Sequence, residues 1–410
     1  MAGTAADVLT RAEELGGISE EPDRLVRRFG TPALAHAAER VAGWMEEAGL
    51  TVRRDAVGNV IGDTPGDEPP FVLGSHLDTV PNAGRYDGPL GILVGLAAVE
   101  RLVAEGERPP APVQVVAFAD EEGTRFGTSY LGSAAYTGGF EREWLELVDD
   151  DGITLAEAMR AAGGDPEAAV AADAPRLAGY LEVHIEQGPV LERERLPVAV
   201  VSAVAGQTRV RVVVRGEAGH AGTLPMDSRR DALAAAAEVV LAVERVGRST
   251  DGLVATVGAM SLSPNVGNVV PGEVVLLLDA RHADDAVRGR AAAAIRAEVE
   301  KIASARRVAA SWTVRYDTPA IELAPELRRR LGSAIAAAGQ PVWTLVSGAG
   351  HDAVVLSRIC PAAMLFVRCA GGISHDPRES VDEADVAVAL DVVERFLRAE
   401  ASPTPGPATR

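Results

Sequence analysis

The sequence predicts an α/β fold: a mostly parallel sheet covered by helices, with a ferredoxin-like α+β domain inserted into it. Two observations carry this. From about residue 35 to 205, short apolar runs alternate with helical segments, and the same style returns after about residue 320. Between these stretches, from near Gly206, the order becomes βαββαβ. Apolar strands alternating with helices are the mark of a parallel sheet covered on both faces. The βαββαβ order suits helices packed on one antiparallel sheet.

The elements follow in chain order. Residues 31–50 have helical spacing. A short apolar strand, 71–74, leads into a turn, and 90–106 reads as a buried helix. "VQVVAFAD" (113–120) and "AGYLEVHIEQGP" (178–189) supply two further strands. In the inserted part, strand 209–216 precedes an Ala-rich helix, 227–246. Strands 252–260 and 273–281, helix 284–303 and strand 307–316 complete it. Helix 325–339, strand 363–368 and helix 382–399 then return to the first style. The domain expectation is therefore 1–207 with 321–410 as a discontinuous catalytic domain, and 208–320 as the insertion.

Bulk properties bound the function. The chain has 410 residues, which is long for one core. Its net charge of −19 argues against nucleic acid or an anionic membrane as partner. Cys360 and Cys369 are the only cysteines and both lie in apolar stretches, so a reducing, cytoplasmic setting is expected. The N-terminal stretch lacks the continuous apolar run of a signal peptide, and no membrane span is read. The Pro-rich tail 401–410 is expected to be disordered.

The chemistry concentrates in histidines and acids. Of seven histidines, His76, His184, His220, His351 and His375 stand beside Gly or acidic residues near predicted strand ends. His36 and His282 read as structural. Open α/β sheets place their sites at the carboxyl ends of the strands. "GSHLDT" holds His76 and Asp78, "GRYDGPLG" holds Asp87, and "ADEEG" holds Asp120, Glu121 and Glu122. Each motif alone also reads as a polar turn, a helix cap or a satisfied core histidine. Together, three His, one Asp and an acidic pair suit two Zn²⁺ or Mn²⁺ ions sharing a carboxylate. On extended backbone, neighbouring side chains point to opposite sides. One of two adjacent acids can then bind metal while the other faces an activated water as general base.

These motifs resemble the M20 metallopeptidase superfamily, and within it the carbamoylase and allantoate amidohydrolase branch. The resemblance rests on "GSHLDTVPNAGRYDGPLG", "FADEEGTRFGTSYLGS", "EVHIEQGPVLE", "GQTRVRVVVRGEAGHAGTLPM", "SGAGHDA" and "GGISHDPRE", in that order over residues 74–379. It implies one ion held by His76, Asp87 and His184, and a second by Asp87, Glu122 and His375. It implies Glu121 as general base and Asp78 as the residue orienting His76; Asp120 receives no catalytic role. It further implies that His220 stabilises the oxyanion and that Asn268 and Arg281 hold a substrate carboxylate. In this branch those three reach the site from the partner subunit of a homodimer. From the residues alone, Arg281 also reads as a surface ion pair with Asp284 or Asp285. Gln187, Gln207 and Gly350 fall at positions that line the branch's substrate pocket.

The expected reaction is hydrolysis of a ureido group on a small carboxylate, with allantoate the first choice. N-Carbamoyl-L-amino acids and 3-ureidopropionate are the close alternatives, and an M20 aminoacylase or dipeptidase is the next. A non-catalytic binding protein is disfavoured because no position of the set is lost. One departure stands out: Arg368, in "FVRC", occupies a position where many relatives carry Pro.

Overall fold

A computed structural model describes residues 3–106, 109 and 111–399. The tail 401–410, expected to be disordered, lies outside the described residues. Fifteen strands occur among the described residues. They are β1 Thr51–Arg54, β2 Val60–Asp63, β3 Phe71–His76, β4 Val113–Phe118, β5 Gly179–Ile185, β6 Val198–Val204, β7 Gly206–Arg215, β8 Gly219–His220, β9 Val254–Ser263, β10 Val269–Val270, β11 Glu273–His282, β12 Ala309–Thr318, β13 Ile321–Glu322, β14 Thr344–Ser347 and β15 Ala362–Val367.

The chain divides into two compact units, Met1–Ser202 with Leu323–Arg410, and Ala203–Glu322. In the first, strands run in the order β1-β2-β4-β3-β5-β15-β6, with β14 beside β6. The central four, β4-β3-β5-β15, are parallel. The flanks are antiparallel: β1 on β2, β2 on β4, and β6 on β15. The mixed, mostly parallel sheet thus has the expected parallel centre. Strand β3 has β4 on one side and β5 on the other, so the chain reverses direction across the sheet at this point. Such a switch point opens a crevice at the carboxyl ends of the strands.

Burial explains the pattern. Every residue of β3, β4, β5 and β15 is buried. The helix Pro89–Ala104 is buried along nearly its whole length. It lies so close to the sheet that a Cβ at Gly91 would sit 2.1 Å from the Val183 carbonyl oxygen. Thr31 caps the helix Pro32–Glu47 by accepting from Leu34 N, and Pro32 opens it.

The second unit has a four-stranded antiparallel sheet, β12-β7-β11-β9. With the helices Ala232–Ser249 and Asp285–Arg306 this is the βαββαβ order. Val210, Val212 and Val214 of β7 and Val274, Leu276 and Leu278 of β11 turn to one face. That face packs on Ala235, Ala236, Val239 and Val243 of the first helix, as the period-two geometry of a strand requires. Asp231 and Asp284 cap the two helices. A two-residue ribbon, β8 on β10, completes the unit.

Candidate metal and catalytic site

Four carboxyl-terminal strand ends converge in the first unit. Strand β3 runs to His76 itself, two residues beyond the expected end, so this imidazole is fixed by strand geometry. Asp87 stands two residues before the helix Pro89–Ala104. Gly88 between them has φ +84°, and a Cβ there would meet the His76 ring at 2.6 Å. Only glycine allows the Asp87 loop to lie against His76. Glu121 and Glu122 follow β4, His184 lies in β5, and His375 is in the loop after β15.

Asp87 is the hub. Its Oδ1 lies 3.1 Å from His184 Nε2 and 3.7 Å from His76 Nε2. Its Oδ2 lies 3.1 Å from His375 Nε2, which is 3.4 Å from Glu122 Oε1. His76, Asp87 and His184 offer ligand atoms within 4.8 Å of one another, and so do Asp87, Glu122 and His375. A third such group is His76, Glu121 and Glu122. One carboxylate therefore turns each oxygen toward a different set of ligands.

The donors fit divalent metal. His76 Nδ1 faces the Asp78 carbonyl at 3.1 Å, and His184 Nδ1 faces the Ile185 carbonyl at 3.0 Å. A carbonyl only accepts, so Nδ1 carries the proton in the neutral ring and the Nε2 lone pair points at Asp87. Burial opposes ionisation of Asp87, yet His184, His375 and His76 hold its carboxyl well below the usual range. Burial likewise opposes charge on His76, but Asp78 and Asp87 raise it well above the ordinary imidazole value. His184 is raised by Asp87 against its burial. The half-exposed His375 is pushed up to about 10 by Asp87 and Glu122. These are histidines facing concentrated negative charge, where a cation would be favoured.

The three consecutive acids differ in environment. Burial, then Glu122, pushes Glu121 well above the carboxylate range. Asp120 is 1% exposed, and burial with Asp78, Glu122 and Asp352 favours its neutral form. The Asp78 carboxylate accepts the backbone N–H of Glu121 at 2.9 Å and of Glu122 at 3.3 Å. It also lies 3.4 Å from His76 Nδ1. Asp78 thus contacts His76 through both its carbonyl and its carboxylate, and ties the acidic turn to the same strand end.

Several neighbours had no role assigned in the sequence reading. Arg27 is fully buried and donates to the Leu77, Leu15 and Ile18 carbonyls, bracing the loop between His76 and Asp78. His351 is buried edge-to-face against His184, 4.5 Å between ring centres, with Nε2 2.7 Å from Ser347 Oγ. Ser374 donates to Asp87 Oδ2 at 2.9 Å. Glu379 accepts from Tyr86 N at 2.8 Å and Asp87 N at 3.1 Å. Ser374 and Glu379 stood inside "GGISHDPRE", but a single sequence does not distinguish them from ordinary turn residues.

The remaining expected residues separate by unit. Gln187 Nε2 donates to Asp87 Oδ2 at 3.0 Å and to Ser374 Oγ at 3.2 Å. Gly350 lies against Glu121: a Cβ there would be 3.5 Å from Glu121 Oε1 and 2.1 Å from the Tyr130 hydroxyl. In the second unit, His220 and Asn268 are brought together by the β8–β10 ribbon, where Ala221 N donates to the Asn268 carbonyl at 2.9 Å. Gly222 N donates to His220 Nδ1 at 3.1 Å, which leaves the ring proton of neutral His220 on Nε2. Arg281 makes a bidentate pair with Asp279, at 2.8 and 3.1 Å, and Gln207 donates to the same carboxylate. Asp284 caps a helix and Asp285 pairs with Arg288. Arg368 forms a bidentate pair with Asp385 at 2.7 and 2.9 Å, joining the end of β15 to the helix Glu383–Arg398.

Comparison with known proteins gives the family. The family model described as peptidase family M20/M25/M40 matches residues 72–399. The chain is 37% identical to the allantoate deiminase of Arabidopsis thaliana, covering 96% of this chain and 82% of that protein. It is 42% identical to the N-carbamoyl-L-amino acid amidohydrolase of Geobacillus stearothermophilus, covering 93% and 95%. A solved amidase of the hydantoinase/carbamoylase family from Burkholderia multivorans superposes with a TM-score of 0.90 at 34% identity, covering 97% of each chain. The chain belongs to peptidase family M20/M25/M40.

Proposed function

We propose that the chain is a metal-dependent amidohydrolase that cleaves the ureido group of a small carboxylate, a C–N bond other than a peptide bond. Allantoate is the first candidate substrate. N-Carbamoyl-L-amino acids follow closely, and the relatives named for both activities support the shared ureido-carboxylate class. The observation that carries the reading is Asp87 between two sets of metal-ligating side chains, with Glu121 beside His76 and Glu122.

His76, Asp87 and His184 would hold one Zn²⁺ or Mn²⁺, and Asp87, Glu122 and His375 the other. When bound, such ions polarise a carbonyl and lower the pKa of water. The chain's own groups then do the following. Glu121, its proton affinity raised by burial, takes a proton from the attacking water and delivers it to the leaving nitrogen. Asp78 holds the turn that carries Glu121 and Glu122 by accepting both backbone N–H groups. His220 offers its Nε2–H to the oxygen that gains charge as the carbamoyl carbon becomes tetrahedral. Asn268 and Arg281 hold the substrate carboxylate, with Asp279 holding the Arg281 guanidinium in place. Gln187, Gln207 and Gly350 line the pocket. The products are the amine and carbamate, which falls to ammonia and CO₂.

The proposal includes a homodimer in which the partner's inserted unit supplies His220, Asn268 and Arg281. It also includes a cytoplasmic setting, supported by two buried cysteines that are free thiols. No helix among the described residues is long and apolar enough to cross a membrane. Ammonia release from a panel of allantoate, 3-ureidopropionate and N-carbamoyl-amino acids tests the substrate class. Turnover of at least one, abolished by chelator and restored by Zn²⁺ or Mn²⁺, is expected. Turnover of N-acetyl-amino acids or dipeptides alone would move the assignment to an aminoacylase or dipeptidase.

A further inference from the structure

The Asp87 loop and the His375 loop come from opposite ends of the chain and meet at one buried side chain. Glu379 is 4% exposed. Its Oε1 accepts the backbone N–H groups of Tyr86 and Asp87, at 2.8 and 3.1 Å. Its Oε2 lies 3.2 Å from Ser374 Oγ. The Ser374 hydroxyl has a single proton, and Asp87 Oδ2, at 2.9 Å, is the nearer acceptor. Gln187 Nε2 reaches both Ser374 Oγ and Asp87 Oδ2. A Cβ at Gly84 would sit 2.3 Å from the Glu379 carboxyl group, so the loop gives up a side chain to let this carboxylate in.

We infer that Glu379 is a positioning residue for the metal centre, fixing Asp87 by its main chain, with Ser374 packed between the two carboxylates, so that the shared carboxylate is set before metal arrives. The inference rests on the proposed two-metal reading. Metal affinity of a preformed site exceeds that of one whose ligands must be ordered on binding, because the ordering entropy is already spent. Partners that hold ligands in place are worth about 10–100-fold in metal affinity. What matters here is an acceptor at Oε1, more than charge. In Glu379→Gln the amide oxygen can take both N–H groups, while the amide NH₂ donates to Ser374 Oγ, which still donates to Asp87. In Glu379→Ala, Tyr86 N and Asp87 N lose their buried acceptor.

The test is titration of chelated protein with Mn²⁺, followed by the signal of free Mn²⁺. Glu379→Ala is expected to bind about 10–100-fold more weakly than wild type, and Glu379→Gln to stay within a few-fold of it. Amide exchange at Tyr86 and Asp87, read on the metal-free wild type, gives a second measure that needs no variant to fold. Slow exchange in wild type and in Glu379→Gln is expected. If wild type binds Mn²⁺ and Glu379→Ala binds it equally well, the inference is wrong while the metal reading stands. Equal losses in the Ala and Gln variants, or rapid wild-type exchange at both amides, overturn it too. A wild-type chain that binds no Mn²⁺ overturns the metal reading and this inference with it.

Discussion

Glu121 and Glu122 are neighbours in sequence, and the account gives them different tasks. Glu121→Gln keeps the shape and removes the base, so metal content should be unchanged while turnover falls at least ~100-fold. Glu122→Ala should lose metal first, with activity following. Elemental analysis beside ammonia release separates the two; equal metal loss in both variants would erase the distinction. The metal-free histidines make a pH prediction. His76, His184 and His375 are all raised by the carboxylates facing them, and His375, pushed up to about 10, binds a proton at neutral pH that a metal must displace. Metal loading at pH 7 should therefore release protons, and affinity should fall as pH falls. Calorimetric titration in buffers of different ionisation heat reads this directly; no proton release would contradict it. At this scale the ligand types were legible because imidazole and carboxylate are scarce at apolar strand ends. Arg27, Ser374 and Glu379 were not, since their partners are main-chain groups or, for Ser374, the Asp87 carboxylate, far off in sequence. From the residues alone Arg281 reads as a surface pair with Asp284 or Asp285 and Arg368 as a cation without a partner, whereas they pair bidentately with Asp279 and Asp385.

Elements set the site by where they end. Gly88 carries the sharpest test, because a Cβ there meets both the His76 ring and its carbonyl oxygen, at a φ that disfavours side chains. Gly88→Ala should cost about 2–4 kcal/mol of stability and weaken metal binding. Gly58 has a similar φ, +93°, and nothing within 4 Å of its would-be Cβ. Gly58→Ala should cost only about 1 kcal/mol, with metal binding intact. Denaturant unfolding of both variants, with metal titration, compares strain alone with strain plus overlap. The parallel strands were legible because burial on both faces leaves continuous apolar runs. Strand β1, by contrast, is a four-residue edge, "TVRR", mostly exposed, and gives no such run. The helices Leu131–Tyr136 and Pro166–Val170 have six and five residues, too few to establish a helical period. Strand β3 outran its expected end because Ser75 and His76 are polar yet buried; Ser75 spends its hydroxyl on Glu182 at 3.1 Å.

For the whole molecule, the change of style near Gly206 made the inserted unit readable, since period-two valines replace buried runs there. That two chains build one site comes only from the family resemblance, not from the residues themselves. If the partner supplies Arg281, Glu121→Gln and Arg281→Ala should complement when co-expressed. A mixed dimer then holds one site with an intact base and an intact partner arginine, restoring about a quarter of wild-type activity at random pairing. Sites built within one chain would show no restoration. The central claim, however, is the pair of ligand sets sharing Asp87 with Glu121 beside them. It is tested most directly by returning Zn²⁺ or Mn²⁺ in steps to chelated wild-type protein while measuring ammonia release from the ureido carboxylate it turns over best. The account predicts no hydrolysis without metal and activity that saturates near about two ions per chain. Hydrolysis that persists undiminished in the metal-free chain would contradict it.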